Sequence, residues 1–162
     1  MSTGQSAPPV EPAALAAEAR ALALAADRAS LATRLARADQ PGLAAGHPYV
    51  SLVLLAWEPP FRPLLLLSSL ADHTRNLAAD PAASLLIDGT AGLQEPLAGP
   101  RVTLLGRVER HADQGAKARF VERHPGAKVY ADFKDFALYA MSVERLHFVA
   151  GFGRIAWLPA PA

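Results

Sequence analysis

The sequence predicts a mainly β fold with peripheral helices (α+β), in which about six antiparallel strands close into a barrel. Three observations favour this fold class. Short apolar runs recur between glycine and proline breakers from Ser30 onwards, and the helical segments between them are few and short. One run, residues 101–110, nearly alternates apolar and polar side chains, as an antiparallel strand with one wetted face does. Closing such a sheet into a barrel removes its exposed edges.

Length and composition set the outer bounds on this interpretation. The chain has 162 residues, of which 51% are apolar and 19% charged, so we expect one domain with a real core. With 16 basic and 15 acidic residues the net charge is +1, which provides no global field for nucleic acid. The sequence has no cysteine, which excludes disulfides, thiolate metal sites and cysteine nucleophiles.

The elements are predicted in the following order. Residues 1–10 are expected to be a disordered leader, and residues 11–162 a single domain that opens with a helix over 12–27. Further helical segments are expected at 70–79, 113–124 and 127–133. The predicted strands cover 49–57, 63–68, 84–87, 101–110, 136–150 (with a corner at Glu144–Arg145) and 154–158.

Neither a membrane segment nor a secretory signal is predicted. The only candidate apolar stretch, residues 13–26, is interrupted by Glu18 and Arg20. We therefore expect a soluble cytoplasmic protein.

Several kinds of active site are disfavoured by the motifs. The five histidines lack the spacing of a zinc protease, so no metal site is expected. Ser68 and Ser69 lack the Gly-x-Ser-x-Gly elbow of a serine hydrolase, and no glycine-rich phosphate loop is present. The basic residues around 117–128 are interpreted as a solvated helix face. No catalytic residue is assigned.

The segment from Leu67 to Leu77 leaves two interpretations open. An apolar strand delivers the hydroxyls of Ser68 and Ser69 at its end, and a short polar helix follows at once. Hydroxyls beside free amides at a helix start suit an anionic phosphate. A helix cap with surrounding surface polar groups explains the same pattern.

Several ordered pieces of the chain together carry a family resemblance. They are residues 30–33, 47–53, 67–77, 80–86, 101–106, 124–125, 135–136 and 151–153. With these pieces, over roughly residues 28–158, the chain resembles the FMN-binding split-barrel proteins related to pyridoxamine 5′-phosphate oxidase, in the branch that includes haem-utilisation proteins. The resemblance implies a six-stranded antiparallel split β-barrel that forms a homodimer, with FMN held at the subunit interface.

The resemblance also implies the cofactor-binding residues. They lie on the strand that carries Val50 and Ser51, on the strand end at Ser68 and Ser69, and on the following turn and helix at His73, Thr74 and Asn76. Two arginines complete the set: Arg28 as a further phosphate partner, and Arg154, which would meet the flavin across the dimer.

The function implied is that of an FMN-dependent oxidoreductase acting on an unknown small substrate. The chain lacks the arginine-to-lysine and arginine-leucine-proline motifs of the true pyridoxamine phosphate oxidases, so vitamin B6 oxidation is not implied. One alternative is a haem-binding or haem-degrading protein with His147 as candidate axial ligand. Others are a flavin carrier or sensor that does not turn over, and a barrel that has lost its cofactor.

Overall fold

The structure is a computed structural model that describes residues 11–37 and 40–161, so the leader predicted at 1–10 lies outside the described residues. It contains eight strands and three α-helices, together with two 3-10 turns at Pro96–Ala98 and Pro125–Val129. The helices are α1 (Pro12–Ala25), α2 (Asp72–Ala79) and α3 (Gln114–Arg123). The strands are β1 (Arg28–Arg34), β2 (Pro48–Leu54), β3 (Ala56–Glu58), β4 (Arg62–Ser68), β5 (Ala82–Asp88), β6 (Arg101–Arg110), β7 (Phe136–Gly151) and β8 (Arg154–Pro159).

All described strands belong to one curled antiparallel sheet, which confirms the predicted fold class. The strand order is β2-β1-β5-β6-β7-β4-β3, and β8 pairs with β7 beside this path. The first part of β7 pairs with β4 and its last part pairs with β8. As the sheet curls, β2 and β4 come close without appearing as a hydrogen-bonded pair in the described sheet. We call this unpaired approach the seam.

The strand count is eight, where about six were predicted. The prediction missed β1, because its sequence Arg-Ala-Ser-Leu-Ala-Thr-Arg carries mostly small side chains. The predicted strand 49–57 is divided at Leu55, whose amide donates to the carbonyl of Asp27 at 2.8 Å. That bond turns the chain out of the β2 ladder, so that β3 begins at Ala56 and pairs with β4.

Two buried clusters lie on opposite sides of the sheet. The larger cluster fills the barrel and includes Leu15, Ala19 and Ala23 of α1, so the N-terminal helix packs on the main body. The smaller cluster joins β3, β4 and β7 to α3 through Phe120. Burial of these apolar faces, at roughly 25 cal/mol per Å², supplies the main driving force for the fold.

The corner predicted at Glu144–Arg145 is a β-bulge. Leu105 pairs with Arg145 while Gly106 pairs with Val143, so Glu144 has no partner in the ladder. A Cβ at Gly106 would lie 2.0 Å from the carbonyl oxygen of Ser142, so only glycine fits this close approach.

Within residues 11–37 and 40–161, no helix is both long enough and apolar enough to cross a membrane.

Candidate functional site

A groove of about 330 Å³ lies at the seam of the barrel. Because β2 and β4 do not complete a ladder here, side chains of both strands form its walls. The rest of the lining comes from the start of α2, from α3, from Tyr130 and from the start of β7. The lining is mostly apolar and aromatic, with one imidazole and the hydroxyls of one serine and one tyrosine. It consists of Leu52, Val53, Leu54, Leu66, Leu67, Ser68, Ala71, His73, Phe120, Tyr130 and Phe136.

His73 and Ser51 form a hydrogen-bonded pair at this groove. Ser51 on β2 pairs with the fully buried Leu31, so its side chain is on the inner side of the sheet. Its Oγ lies 3.0 Å from Nδ1 of His73, the second residue of α2. Burial lowers the pKa of His73, and the neighbouring Asp72 carboxylate offsets part of this effect. The imidazole is therefore neutral at pH 7, and a neutral imidazole can act as a metal ligand.

Ser68 and Ser69 occupy different environments, although they are adjacent. Ser68 Oγ lines the groove, donates to Oδ2 of Asp135 at 2.7 Å and accepts from the amide of Leu70 at 3.2 Å. The Ser69 amide donates to the carbonyl of Asp135 at 2.7 Å, whereas its side chain is exposed. Asp135 thus fixes the turn between β4 and α2 that presents the Ser69 hydroxyl to solvent.

Asn76 and Thr74 are buried behind the groove. The Asn76 amide oxygen accepts from the backbone amide of Ala36 at 2.9 Å, and its Nδ2 donates to Oγ1 of Thr33 at 3.0 Å. Asn76 therefore ties α2 to the end of β1. Thr74 Oγ1 is buried and has no hydrogen-bond partner among the described residues. Asn76 thus has internal partners and Thr74 Oγ1 has none, and the role of both residues toward a ligand stays a prediction.

The structure does not bring the two arginines and Val50 to the groove lining. Arg28 is exposed, pairs with Asp27 at 2.8 Å and lies beside Leu54 in the β1–β2 register. Arg154 pairs with Glu18 of α1 at 2.7 Å. Val50 is 62% exposed on the outside of β2. Arg28 is next to the groove because its strand partner Leu54 lines it, whereas Arg154 is bound to Glu18 of α1.

The other histidines do not line the groove. His147, on β7, stacks on Trp157 of β8 with ring centroids 4.7 Å apart. His124 uses Nε2 to contact the carbonyl of Leu55 at 2.6 Å. His111 faces Glu58 at 3.4 Å, and His47 is exposed. The part of the chain that is described contains no group of three or more histidine, aspartate or glutamate side chains placed to hold a metal ion.

The sequence analysis missed the aromatic wall of the groove and the role of Asp135. Phe120, Tyr130 and Phe136 come from three separate segments, and the ring centroids of the last two are 4.8 Å apart. No periodic pattern connects them, because the fold alone brings them together. Asp135 and Phe136 did stand out as one of the ordered pieces, and that was the available signal.

A second apolar feature is the outer face of the sheet. In one row across the strands, Leu52 pairs with Ser30, Ser30 with Leu86, Leu86 with Thr103, Thr103 with His147, and His147 with Trp157. Paired residues project to the same side of a sheet. We define the outer face by its exposed large hydrophobic residues, which are Val50, Leu52, Leu54, Leu86, Ile155 and Trp157. In the row, Ser30, Thr103 and His147 stand between the apolar residues, and exposed large hydrophobic side chains on one sheet face are typical of an interaction site.

Comparisons with known proteins agree with this fold and with the resemblance. The chain is 36% identical over 109 residues to the chloroplastic heme oxygenase HOZ of Arabidopsis thaliana, a match that covers 65% of this chain and 33% of the plant protein. It superposes on a heme binding protein from Mycobacterium smegmatis with a TM-score of 0.79 and 32% identity, covering 95% of this chain and 60% of that one.

A Clostridium acetobutylicum protein of the pyridoxinephosphate oxidase family superposes with a TM-score of 0.65, covering 93% of this chain and 96% of that one. At 11% identity it shows a shared fold alone. The chain thus spans about a third of the plant protein and 60% of the mycobacterial chain. A family model described as "CREG, beta-barrel" matches residues 10–162. The resemblance to the split-barrel family with haem-protein relatives is confirmed, and the chain belongs to the CREG beta-barrel family.

Proposed function

We propose that this protein is a homodimer that binds haem in the groove at the barrel seam. The observation that carries the proposal is the chemistry of the groove: apolar and aromatic walls, with the half-buried imidazole of His73 among them. A porphyrin ring is flat and apolar, and its iron takes nitrogen ligands such as histidine. The donor set and the walls therefore fit this group.

The exposed walls of the groove are compatible with a ligand larger than the groove itself. Its volume of about 330 Å³ lies at the lower end of the range for small-molecule sites. Leu52 and Leu54 line it and are also exposed, by 70% and 37%. A ring seated against them would extend beyond one subunit, and the excess apolar surface would need a second cover. The relatives named for haem binding and haem oxygenation are consistent with this ligand.

The outer face supports the homodimer. It carries six exposed large hydrophobic residues on strands that form one continuous surface. A two-fold dimer places the same patch of each subunit against its copy, which suits a self-complementary apolar face. Because Leu52 and Leu54 belong to both the groove and the outer face, the groove would lie at the subunit interface.

A second candidate is FMN, favoured by the Ser69 turn. The turn presents an exposed hydroxyl shortly before the first turn of α2, where the amides of Asp72 and His73 have no partner inside the helix. Hydroxyls and helix-start amides together bind phosphate. Bound FMN would supply redox chemistry, and the protein would be an oxidoreductase if a substrate is turned over or a flavin carrier if it is not.

The remaining predicted residues take the following places in these proposals. Arg28, beside Leu54, would release its ion pair with Asp27 and pair instead with a haem propionate or an FMN phosphate at the edge of the groove. His73 on α2 would contact the ligand, and Ser51 on β2 would act through its hydrogen bond to His73. Arg154 and Val50 would contribute from the partner subunit across the interface.

The test titrates cofactor-free protein separately with hemin and with FMN. We expect hemin to bind one per chain with a shifted Soret band. Ala71→Phe, which fills the groove from its lining, should weaken binding at least about tenfold, whereas Ala78→Phe at an exposed position of the same helix should not. The proposal fails if hemin gives no shift or if Ala71→Phe binds as the unaltered protein does. Quenching of FMN fluorescence that Ser69→Ala and Ala71→Phe both abolish would favour the second candidate.

A further inference from the structure

We infer that Nε2 of His73 is the axial ligand of the haem iron, and that Ser51 is the positioning residue that holds the imidazole for this role. The inference rests on the proposed haem function and adds the iron ligand and its support to it. It replaces His147, which the sequence had suggested as the ligand.

The geometry of the pair leaves one nitrogen of His73 available. Ser51 Oγ lies 3.0 Å from Nδ1, and no described residue forms a hydrogen bond with Nε2. When Nδ1–H donates to the serine hydroxyl, Nε2 is the nitrogen with a free lone pair. Metal-bound histidines generally make such a bond with the second nitrogen, which fixes the tautomer and the ring orientation.

Both residues are held by regular secondary structure, which gives the pair its precision. Ser51 is central in β2 and is fixed by its register with Leu31. His73 is in the first turn of α2, and α2 is anchored to β1 through the buried Asn76. A site built on strands and helices is more precise than one built on loops.

The other potential iron ligands are less suitable. His124 has Nε2 engaged with a backbone carbonyl at 2.6 Å, and His147 stacks on Trp157 on the outer face. Met141 is fully buried in the core. Tyr130 does line the groove, so its phenolate oxygen is the competing ligand that an experiment must separate from His73.

The experiment records resonance Raman and absorption spectra of the haem-loaded full chain. The unaltered protein should show an iron–histidine stretching band in the ferrous state. His73→Ala should lose this band, and added imidazole should restore it, while His147→Ala should keep it. His73→Leu serves as a second variant, with circular dichroism of each variant confirming the fold.

Ser51 is tested in the same way. Ser51→Ala should keep the iron–histidine band but lower its frequency, and should weaken haem binding by about 10- to 100-fold. Ser51→Thr, which restores a hydroxyl on a β-branched side chain suited to a strand, should recover both. An unchanged frequency in Ser51→Ala would overturn the positioning role.

Two other outcomes separate the inference from the proposed function. If His73→Ala still binds haem with an unchanged band, or Tyr130→Phe alone abolishes the ligand signature, the ligand assignment is overturned and haem binding stands. If the unaltered protein gives no Soret shift with hemin, the proposed function itself fails and the inference falls with it.

Discussion

Replacing Leu86 on the outer face tests the proposed dimer without touching the groove. Leu86 is central in the row from Leu52 to Trp157 and does not line the groove. Leu86→Ala removes three carbon atoms, each contributing about 0.8 kcal/mol when buried. Since the residue is 41% exposed in the single chain, only that share of the effect, about 1 kcal/mol, depends on the partner.

In a two-fold dimer the loss occurs twice, which gives about 2 kcal/mol and a dissociation constant roughly 30-fold larger. Sedimentation velocity over a dilution series measures this constant directly. Leu97→Ala is the matched control, because Leu97 is 66% exposed on the 3-10 turn Pro96–Ala98 and not on the outer face. A dissociation constant within about threefold of the unaltered protein, or a chain that is monomeric throughout, would refute the reasoning.

Four further predictions concern the fold around the site. Asn76→Ala should lower the free energy of unfolding by about 2–4 kcal/mol in urea denaturation, since it leaves the buried Thr33 hydroxyl and the part-buried Ala36 amide without their partner. Asn76→Asp keeps only the acceptor and should lose an intermediate amount. Thr74→Val should leave the melting temperature unchanged or raise it by a few degrees, because the buried hydroxyl it removes has no partner among the described residues. A clearly lower melting temperature would contradict this and would mean that the Thr74 hydroxyl forms a stabilising hydrogen bond. Gly106→Ala should cost more than about 2 kcal/mol by chemical denaturation, whereas Gly126→Ala, with open space at its Cβ, should cost little. Hydrogen bonds from Thr90 lower the pKa of Asp88. The Asp88 carboxylate therefore stabilises the fold above its unfolded pKa, and this stabilisation is lost as the pH falls through the folded pKa. Asp88→Asn should make the decline in the free energy of unfolding below pH about 4 less steep, and an unchanged slope would contradict this.

The sequence was sufficient for most of the sheet and for one end of the site. Leucine-rich runs between prolines and glycines identified β4, β5, β6 and β7, because apolar runs of this length fit strands better than helices. The sequence did not predict β1, because its alanine and serine side chains give little alternation between apolar and polar positions. The helix after Ser69 was placed correctly because its polar start and its stop at Asp80–Pro81 are local signals.

The rest of the site depends on tertiary contacts that no local pattern reveals. The sequence could not distinguish a ligand-binding Asn76 from one that joins α2 to β1, since either role calls for the same polar side chain on the same helix. The partnership of Ser51 with His73 crosses 22 residues and exists only because β2 and α2 meet at the seam. The aromatic wall has the same origin, as its three rings come from α3, the 125–136 segment and the start of β7.

Two leucines, Leu52 and Leu54, line the groove and also project from the outer face. In the proposed dimer, side chains shared in this way would link occupancy of the cavity thermodynamically to pairing of the subunits, and each would strengthen the other by the same factor. Raising the concentration of the chain would then tighten its hold on its ligand, and loading the ligand would drive assembly.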